Sequence, residues 1–420
     1  MHLLDRLPNG AVVVGSGLLV NGLAAYVFIT VASRDLGPEE YSPVGMLWVL
    51  SFLLGPGFFL PLEQETARRI ASQLGQGVVP VARTVGAIGG LGALVLLLAL
   101  GAASPWLVDR IFDGESWLLV GLLLSLVGLG LAHLVKGVLA GAGRFGGYAA
   151  YLIGEGLGRL LVVVLVAEAL SVGTGRFGLA IGLAPFIGVG VALSTQRGLA
   201  HPGPPVGIVN LSRDLGVLLV ASVSTLLVLN ISPLAVELLA GPEEGSEPGR
   251  FLNALLVARI PLFFFQAVTA GLLPELSALA GTGRHEALWR ALRNLLTVVV
   301  LFAVVVVVVV GVGGPWVVEF AFGSEYVVTR QDMVLLGISS AGLMVVLALA
   351  QGLIACRSRG RMAMAWLAGL LVFPLAVSLN DDLFLRVEVA LIATVAVTSA
   401  AMAVFLTERI RHGTRLATED

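Results

Sequence analysis

The sequence predicts an all-α membrane protein of about twelve transmembrane helices, arranged as two six-helix halves. Three observations predict this fold class: the scarcity of charge, the recurrence of long apolar segments, and a short motif that is present in both halves. Hydrophobic residues make up 57% of the 420 residues and charged residues only 12%, whereas soluble domains carry about 25% charged residues. So few charged side chains would not cover the surface of a soluble protein of this length.

Apolar segments long enough to cross a hydrocarbon core of about 30 Å recur from one end of the chain to the other. The predicted spans are 11–32, 44–62, 85–108, 116–140, 146–170, 178–196, 207–232, 251–275, 294–318, 332–356, 362–379 and 384–407. The valine run from Val304 to Val310 lies inside one of these spans.

The distribution of basic residues predicts the orientation of these spans. With both termini in the cytoplasm, 17 of the 25 Lys and Arg residues face the cytoplasm and six face outward. Basic residues concentrate on the cytoplasmic side of membrane proteins. The pattern therefore predicts a multi-pass protein of a bacterial cytoplasmic (inner) membrane, with both termini inside.

The two halves share a motif at the same topological position. The segment PWLVDRIFDGE at 105–115 matches PWVVEFAFGSE at 315–325, and each follows the third span of its half. Six spans per half predict parallel repeats, related by an axis along the membrane normal. The predicted domains are an N-terminal bundle of residues 1–200, a cytoplasmic linker at 201–206 and a C-terminal bundle of residues 207–420.

Several kinds of chemistry are not supported by the sequence. Cys356 is the only cysteine, which excludes an intrachain disulfide and a thiolate metal cluster. No nucleotide-binding motif is present, so any energy for transport comes from an ion gradient, the membrane potential or downstream consumption. We expect no metal, no cofactor, no nucleic-acid partner and no enzymatic activity.

Charged residues inside spans are the first candidates for a functional site, because charge in hydrocarbon is costly. Three such residues stand out: Glu155 and Arg159 in the fifth span and Arg259 in the eighth. Glu155 and Arg159 are four residues apart and share a helix face. The two arginines lie at similar depths in the two halves and suit a pyrophosphate, which guanidinium binds in a two-pronged fork. Alternatively, Glu155 merely neutralises Arg159 and the pair ties helices together.

Other polar residues are weaker candidates. Arg34 either lines the outer mouth or extends to the interface. Asn21, Asn230 and Gln266 either line a cavity or form hydrogen bonds between helices. His133 is predicted to be a packed core histidine, and Lys136 is predicted to extend to the inner surface.

Several segments resemble bacterial polysaccharide-repeat-unit (lipid-linked oligosaccharide) flippases of the multidrug/oligosaccharidyl-lipid/polysaccharide exporter superfamily. They are RDLGPEEYS at 34–42, LEQETARRIA at 62–71, KGVLAGAGRFGGY at 136–148, LLPELSALAG at 272–281 and FGSEY at 322–326. The resemblance implies two six-helix bundles that form a V around a central cavity. It also implies alternating access and a lipid-linked glycan substrate.

The predicted function is transport of an anionic polyprenyl-(pyro)phosphate-linked oligosaccharide from the cytoplasmic to the outer leaflet, for cell-surface polysaccharide synthesis. Its expected partners are the lipid bilayer, the lipid-linked glycan, and a polysaccharide polymerase or glycosyltransferases. Two alternatives remain: a multidrug or small-molecule exporter of the same fold, and a polytopic glycosyltransferase or ligase. An exporter of cations would need cavity acids, and the spans 11–32 and 44–62 contain none. A ligase would need a larger outer loop than the predicted one at 233–250.

Overall fold

The computed structural model describes residues 9–72, 78–169, 173–199, 201–202, 209–262, 265, 272–282, 285–356 and 358–419. These residues form α-helices, one short 3-10 helix at Ser324–Tyr326 and no strand. The helices are α1 Asn9–Ser72, α2 Val79–Ala102, α3 Ser104–Arg110, α4 Ser116–Gly141, α5 Phe145–Ala169, α6 Gly175–Ser194, α7 Val209–Leu239, α8 Glu247–Ala258, α9 Leu272–Gly281, α10 His285–Phe322, α11 Arg330–Ala355, α12 Arg359–Val377 and α13 Leu383–Glu419. The predicted all-α fold class is confirmed.

The protein is a multi-pass membrane protein. Within the described residues, ten helices are long and apolar enough to cross a membrane. Large apolar side chains such as Leu98, Leu301 and Trp316 are more than 60% exposed on these helices. In a bilayer such surfaces face lipid, while the helical backbone satisfies its own hydrogen bonds.

The longest helix, α1, contains two predicted spans. Its 64 residues would extend about 96 Å, three times the thickness of a bilayer core. The helix is broken at Gly37, whose φ of 75° and ψ of 168° are not helical. Glycine adopts a positive φ without steric cost, and Pro38 then begins the second half. The two halves correspond to the predicted spans 11–32 and 44–62, although the second half continues to Ser72, well beyond the predicted end.

Eleven of the twelve predicted spans have a counterpart among the helices able to cross a membrane. The eighth, 251–275, is described only in part, because α8 ends at Ala258 and residues 263–264 and 266–271 lie outside the described ranges. The loop predicted between the spans 251–275 and 294–318 is largely helical in the described residues, because α9 ends only at Gly281 and α10 already starts at His285.

The chain divides into two compact units, Met1–Leu226 and Leu227–Asp420, and the division falls within α7. The predicted domain boundaries lie upstream of this division. Residues 203–206 of the predicted linker lie outside the described residues. The two predicted domains and the parallel relation between them therefore stay predictions.

In unit 1, Met1–Leu226, small residues let the helices approach closely. A Cβ atom added at Gly121 of α4 would lie 2.4 Å from the carbonyl oxygen of Gly178 in α6. A Cβ atom added at Gly137 of α4 would lie 2.7 Å from the carbonyl oxygen of Glu63 in α1. Only glycine permits backbone contacts this close, and they bring α4 against both α1 and α6.

In unit 2, Leu227–Asp420, α11 packs against α10 and α13, and α12 packs against α13. The rings of Phe251 in α8 and Phe384 in α13 meet edge to face, 5.2 Å between centroids. A Cβ atom added at Gly342 of α11 would lie 2.5 Å from a methyl group of Val395 in α13. These contacts place α13 between α8 and α11.

The repeated motif has a common local structure in the two units. Phe112 and Phe322 occupy the same position of the repeat, and both are at most 2% exposed. The next residues of the repeat, Asp113 and Gly323, both have positive φ, 49° and 114° respectively. Each motif thus has a buried phenylalanine at the end of its helix or two residues after it, and a residue of positive φ follows that phenylalanine.

Candidate functional site

The buried pair Glu155–Arg159 in α5 is the centre of the candidate site. Arg159 Nη2 donates a hydrogen bond to Glu155 Oε1 at 3.1 Å, as their spacing predicts. The two residues are only 8% and 4% exposed. Asn21 of α1 adds a long hydrogen bond from Nδ2 to Glu155 Oε2, at 3.4 Å. Three of the predicted site residues are therefore brought together in unit 1.

Two aromatic rings of α1 lie beside the guanidinium of Arg159. Its Cζ atom lies 5.0 Å from the ring centroid of Trp48 and 5.9 Å from that of Phe28. The two rings stack on each other, 5.8 Å apart. The negative potential of aromatic faces attracts a guanidinium, and the attraction strengthens when water is excluded. The rings hold the arginine side chain in place, but they are not ordinary hydrogen-bond acceptors for its N–H groups.

The guanidinium of Arg159 has donors left over. Its Nε and Nη1 atoms are buried and have no hydrogen-bond partner within the described part of the chain. An arginine has five N–H donors, and leaving a buried charged donor unsatisfied costs about 1–3 kcal/mol or more. The geometry therefore leaves Arg159 able to bind an anionic group without breaking its contact with Glu155.

The other predicted site residues lie elsewhere. Arg34 is exposed in the first half of α1, close to the break at Gly37. In unit 2, Arg259 directly follows the last residue of α8 and is half-buried. Asn230 is half-buried in α7. Gln266 lies outside the described residues.

A second buried polar cluster of unit 1 was not predicted. Glu63 of α1 accepts hydrogen bonds from the Tyr148 hydroxyl at 2.7 Å and contacts His133 Nδ1, also at 2.7 Å. Lys136 Nζ lies 3.2 Å from the same carboxylate and 5.3 Å from the ring centroid of Tyr151. We call Glu63, His133, Lys136 and Tyr148 the Glu63 cluster.

The Glu63 cluster corrects two predictions. Lys136 does not extend to the inner surface, because it is only 9% exposed and pairs with a buried carboxylate. The predicted second span ends at residue 62, which would make Glu63 the first residue of a cytoplasmic loop. Glu63 lies within a helix instead, because α1 continues past it to Ser72. One signal in the sequence was available: His133 and Lys136 are three residues apart and so share a face of α4. The packed position predicted for His133, which is 3% exposed, is confirmed.

A buried charge was also missed in unit 2. Glu388 of α13 has a relative exposure of 0%, although it was not among the three charged residues that stood out inside the predicted spans. The expectation of only three interior charges is therefore wrong. The acids next to it, Asp381 and Asp382, are exposed and made the whole segment resemble the end of a loop.

Known proteins are similar to this chain over most of its length. No family model matches it. The chain is 29% identical over 334 residues to uncharacterized proteins of Mycobacterium bovis and Mycobacterium tuberculosis, which covers 76% of this chain and 74% of each relative. A further uncharacterized protein of Mycobacterium tuberculosis is 25% identical over 338 residues, with the same coverage.

Solved structures share the fold. An inward-facing multidrug resistance MATE family transporter of the MOP superfamily superposes with a TM-score of 0.73 at 14% identity, covering 96% of this chain and 99% of that one. An outward-facing MATE transporter gives a TM-score of 0.66 at 16% identity, covering 97% and 96%. A MOP superfamily transporter from Pyrococcus furiosus, described as having a binding pocket of reverse polarity, gives 0.69 at 14% identity, covering 96% of each chain. The chain thus has the fold of the MATE and MOP transporters.

Proposed function

We propose that this protein is a transporter that moves an anionic polyprenyl-(pyro)phosphate-linked oligosaccharide from the cytoplasmic to the outer leaflet by alternating access. The observation that carries the proposal is the buried guanidinium of Arg159, which retains two nitrogen donors without a partner in the described residues. The fold supports transport as the activity, since the solved structures that share it are transporters.

An anionic substrate fits the donors of Arg159. Guanidinium binds phosphate oxygens through directed N–H groups, and such charge-assisted hydrogen bonds are about twice as strong as neutral ones. The aromatic rings of Phe28 and Trp48 exclude water from one side of the group, which strengthens the interaction further. We propose a lipid-linked glycan as the substrate because several segments of the chain resemble those of polysaccharide-repeat-unit flippases.

A multidrug exporter is the second candidate. It is favoured by the neighbouring solved structures that are multidrug transporters. The buried acids of unit 1 that could bind an organic cation already have basic partners: Glu155 pairs with Arg159, Glu63 with Lys136 and Glu65 with Arg69. The solved transporter with a pocket of reverse polarity is evidence that this fold hosts binding sites of different charge.

A membrane-embedded glycosyltransferase or ligase is less compatible with the structure. The outer loop predicted at 233–250 is shorter than expected, because α7 continues to Leu239 and α8 begins at Glu247. The remaining residues, 240–246, include Glu243 and Glu244 but no histidine. The Glu244 carboxylate accepts a hydrogen bond from the backbone N–H of Gly241, so it stabilises the turn.

The proposal includes a location and partners. We place the protein in the bacterial cytoplasmic (inner) membrane with both termini inside, as the distribution of arginine predicts. A polymerase or glycosyltransferases of the same polysaccharide pathway would supply or consume the lipid-linked glycan at the two faces.

The test is a flipping assay in proteoliposomes. A fluorescent polyprenyl-pyrophosphate oligosaccharide is incorporated, and a membrane-impermeant quencher reports the fraction that reaches the opposite leaflet. We expect flipping by the wild type, its loss in Arg159→Ala and its retention in Arg361→Ala, since Arg361 is a surface residue paired with Glu408. Transport of a cationic dye without movement of the anionic lipid would overturn the proposal in favour of the exporter.

A further inference from the structure

Unit 2 contains a buried acidic side chain, Glu388, that has not been given a role so far. Glu388 is in α13, five residues after its first residue Leu383, which places it about 8 Å into the helix. Its side chain faces the protein, with 0% exposure, whereas the adjacent Val389 is 39% exposed on the outer surface of the unit. Within the described residues, neither carboxylate oxygen of Glu388 has a hydrogen-bond partner.

The helices around Glu388 provide an apolar environment. Phe384, one turn before Glu388 on the same face, packs against Phe251 of α8. Val395, two turns after it on that face, packs against Gly342 of α11. Leu391, which follows Glu388 by three residues in α13, is fully buried, and so is Leu336 of the packed helix α11. An isolated carboxylate in such a setting would lose its hydration without compensation.

Three basic residues of the neighbouring elements have partners other than Glu388, and Arg259 lies beyond the other end of α8 from Phe251. Arg250 of α8 donates to Glu247 and to the Val327 carbonyl oxygen, at 2.7 and 2.6 Å. Arg386 of α13 donates to the Leu239 carbonyl oxygen at 3.1 Å. Arg361 of α12 lies beside Glu408, at the other end of α13.

Two acids lie at the starts of the packed helices α11 and α13. They are Asp332 of α11 and Asp382 at the start of α13. Asp332 caps α11 through hydrogen bonds with Thr329, and Asp382 accepts from the backbone N–H of Leu385. Another acid of unit 2, Glu319 of α10, is exposed. The N-terminus of a helix carries a partial positive charge, which would favour an ionised carboxylate nearby. Here Asp332 and Asp382 already accept hydrogen bonds at the N-termini of α11 and α13.

From this arrangement we propose that Glu388 carries a proton and is a proton-binding site of unit 2. A neutral carboxyl group removes the cost of burying a charge whose two oxygen atoms have no hydrogen-bond partner in the described residues. Ionisable groups buried in membrane helices commonly serve as proton relays. Release of this proton requires water to reach Glu388, so occupancy of the site depends on conformation.

The sequence does not show which energy source drives transport, and a proton-binding site would let the proposed transporter use a proton gradient. A carboxyl group that is protonated when buried and ionised when hydrated couples a proton gradient to the conformational change. This consequence rests on the proposed function. The protonation itself does not, and the experiment below measures it without any substrate.

The experiment is infrared spectroscopy of the purified full-length protein in lipid nanodiscs at neutral pH, recorded as the difference between the wild type and each variant. We expect the carbonyl-stretch band of a protonated carboxylic acid at neutral pH, with a shift in deuterated water. The band should be absent in Glu388→Gln and retained in Glu319→Gln, the matched exposed acid of the same unit. Gln has the size of a neutral Glu, so the variant should fold.

Two results would overturn the proposal. If the band is absent from the wild type at neutral pH, Glu388 is ionised and has a counter-charge. If it appears only when sodium is replaced by choline, the carboxylate binds a metal cation instead of a proton. A thermal unfolding scan supplies a second measurement: the wild type should lose stability from acidic to alkaline buffer, and Glu388→Gln should lose less. Equal losses in the two proteins would also contradict the proposal.

Discussion

His133 Nδ1 lies 2.7 Å from Glu63 Oε2, so a hydrogen bond between two buried side chains joins α4 to the second half of α1. The same carboxylate lies 3.2 Å from Lys136 Nζ and accepts a hydrogen bond from Tyr148 of α5. One carboxylate therefore connects three helices of unit 1. Its removal would leave a buried ammonium and a buried imidazole without their shared acceptor.

Glu63→Ala should destabilise the protein by about 3–5 kcal/mol, the usual cost of removing one partner of a buried ion pair. Glu63→Gln should cost less, because the amide oxygen still accepts a hydrogen bond. The double variant Glu63→Gln with Lys136→Gln should recover part of the loss, since both charges are then absent. The measurement is thermal unfolding of the purified protein in detergent.

The matched control for the Glu63 cluster is the exposed pair Arg361–Glu408, with a separation of 3.6 Å. Surface ion pairs contribute about 0–1 kcal/mol, so Glu408→Gln should leave the unfolding temperature nearly unchanged. Equal effects of Glu63→Gln and Glu408→Gln would show that the Glu63 cluster does not hold the three helices together.

Gly121→Ala should destabilise unit 1 by about 1–3 kcal/mol, as expected for overpacking. Its new Cβ atom would lie 2.4 Å from the backbone oxygen of Gly178, which cannot move without separating α4 from α6. Gly130→Ala on the same helix is the control, because its Cβ would meet the Phe59 ring at 3.4 Å, an ordinary contact. Thermal unfolding of the two variants side by side tests the difference, and similar values would argue against the close packing of α4 and α6.

The predicted topology is testable by cysteine labelling in intact cells after Cys356→Ser. A cysteine at Glu40 or Glu243, both exposed, should react with a membrane-impermeant maleimide. A cysteine at the exposed positions Ala71 or Arg290 should be protected until the cells are permeabilised. Labelling at position 290 from outside would contradict the predicted orientation.

Sequence reasoning succeeded where the information is local. The spans follow from the length of apolar segments, and the pairing of Glu155 with Arg159 follows from helical spacing. The break between the first two spans is marked by Gly37 and Pro38, whose backbone preferences interrupt a helix without any tertiary contact.

It failed where the contacts join distant segments. Glu63 and His133 are 70 residues apart, and no feature of either segment indicates that they meet. Glu388 was missed for a different reason: charged neighbours suggested a loop, whereas the side chain itself turns into the bundle. Burial in a helical bundle is decided by the packing of the partner helices, which a single sequence does not specify.

Arg259→Ala should lower the rate of lipid-linked glycan flipping if this residue contacts the substrate phosphate. Loss of a charged hydrogen bond costs about 1.5–3 kcal/mol, which corresponds to a roughly 10- to 150-fold lower rate. Arg259→Lys should restore the rate only in part, because an ammonium keeps the charge and loses the fork. The flipping assay in proteoliposomes measures both, and an unchanged rate in Arg259→Ala would remove Arg259 from the substrate path.

The Glu155–Arg159 pair permits a sharper test, because it separates a role in binding from a role in packing. The single variant Arg159→Gln leaves Glu155 buried with the long hydrogen bond from Asn21 but without its counter-charge. The single variant should therefore be both less stable and inactive in flipping.

In the double variant Glu155→Gln with Arg159→Gln, both charges vanish together and the buried site is neutral again. Stability should return close to that of the wild type, since replacing a buried ion pair by neutral groups is often tolerated. If Arg159 binds the substrate phosphate, flipping should stay as low as in the single variant despite the recovered stability. Recovery of flipping together with stability would show instead that Arg159 serves only to neutralise Glu155 and does not bind the substrate phosphate.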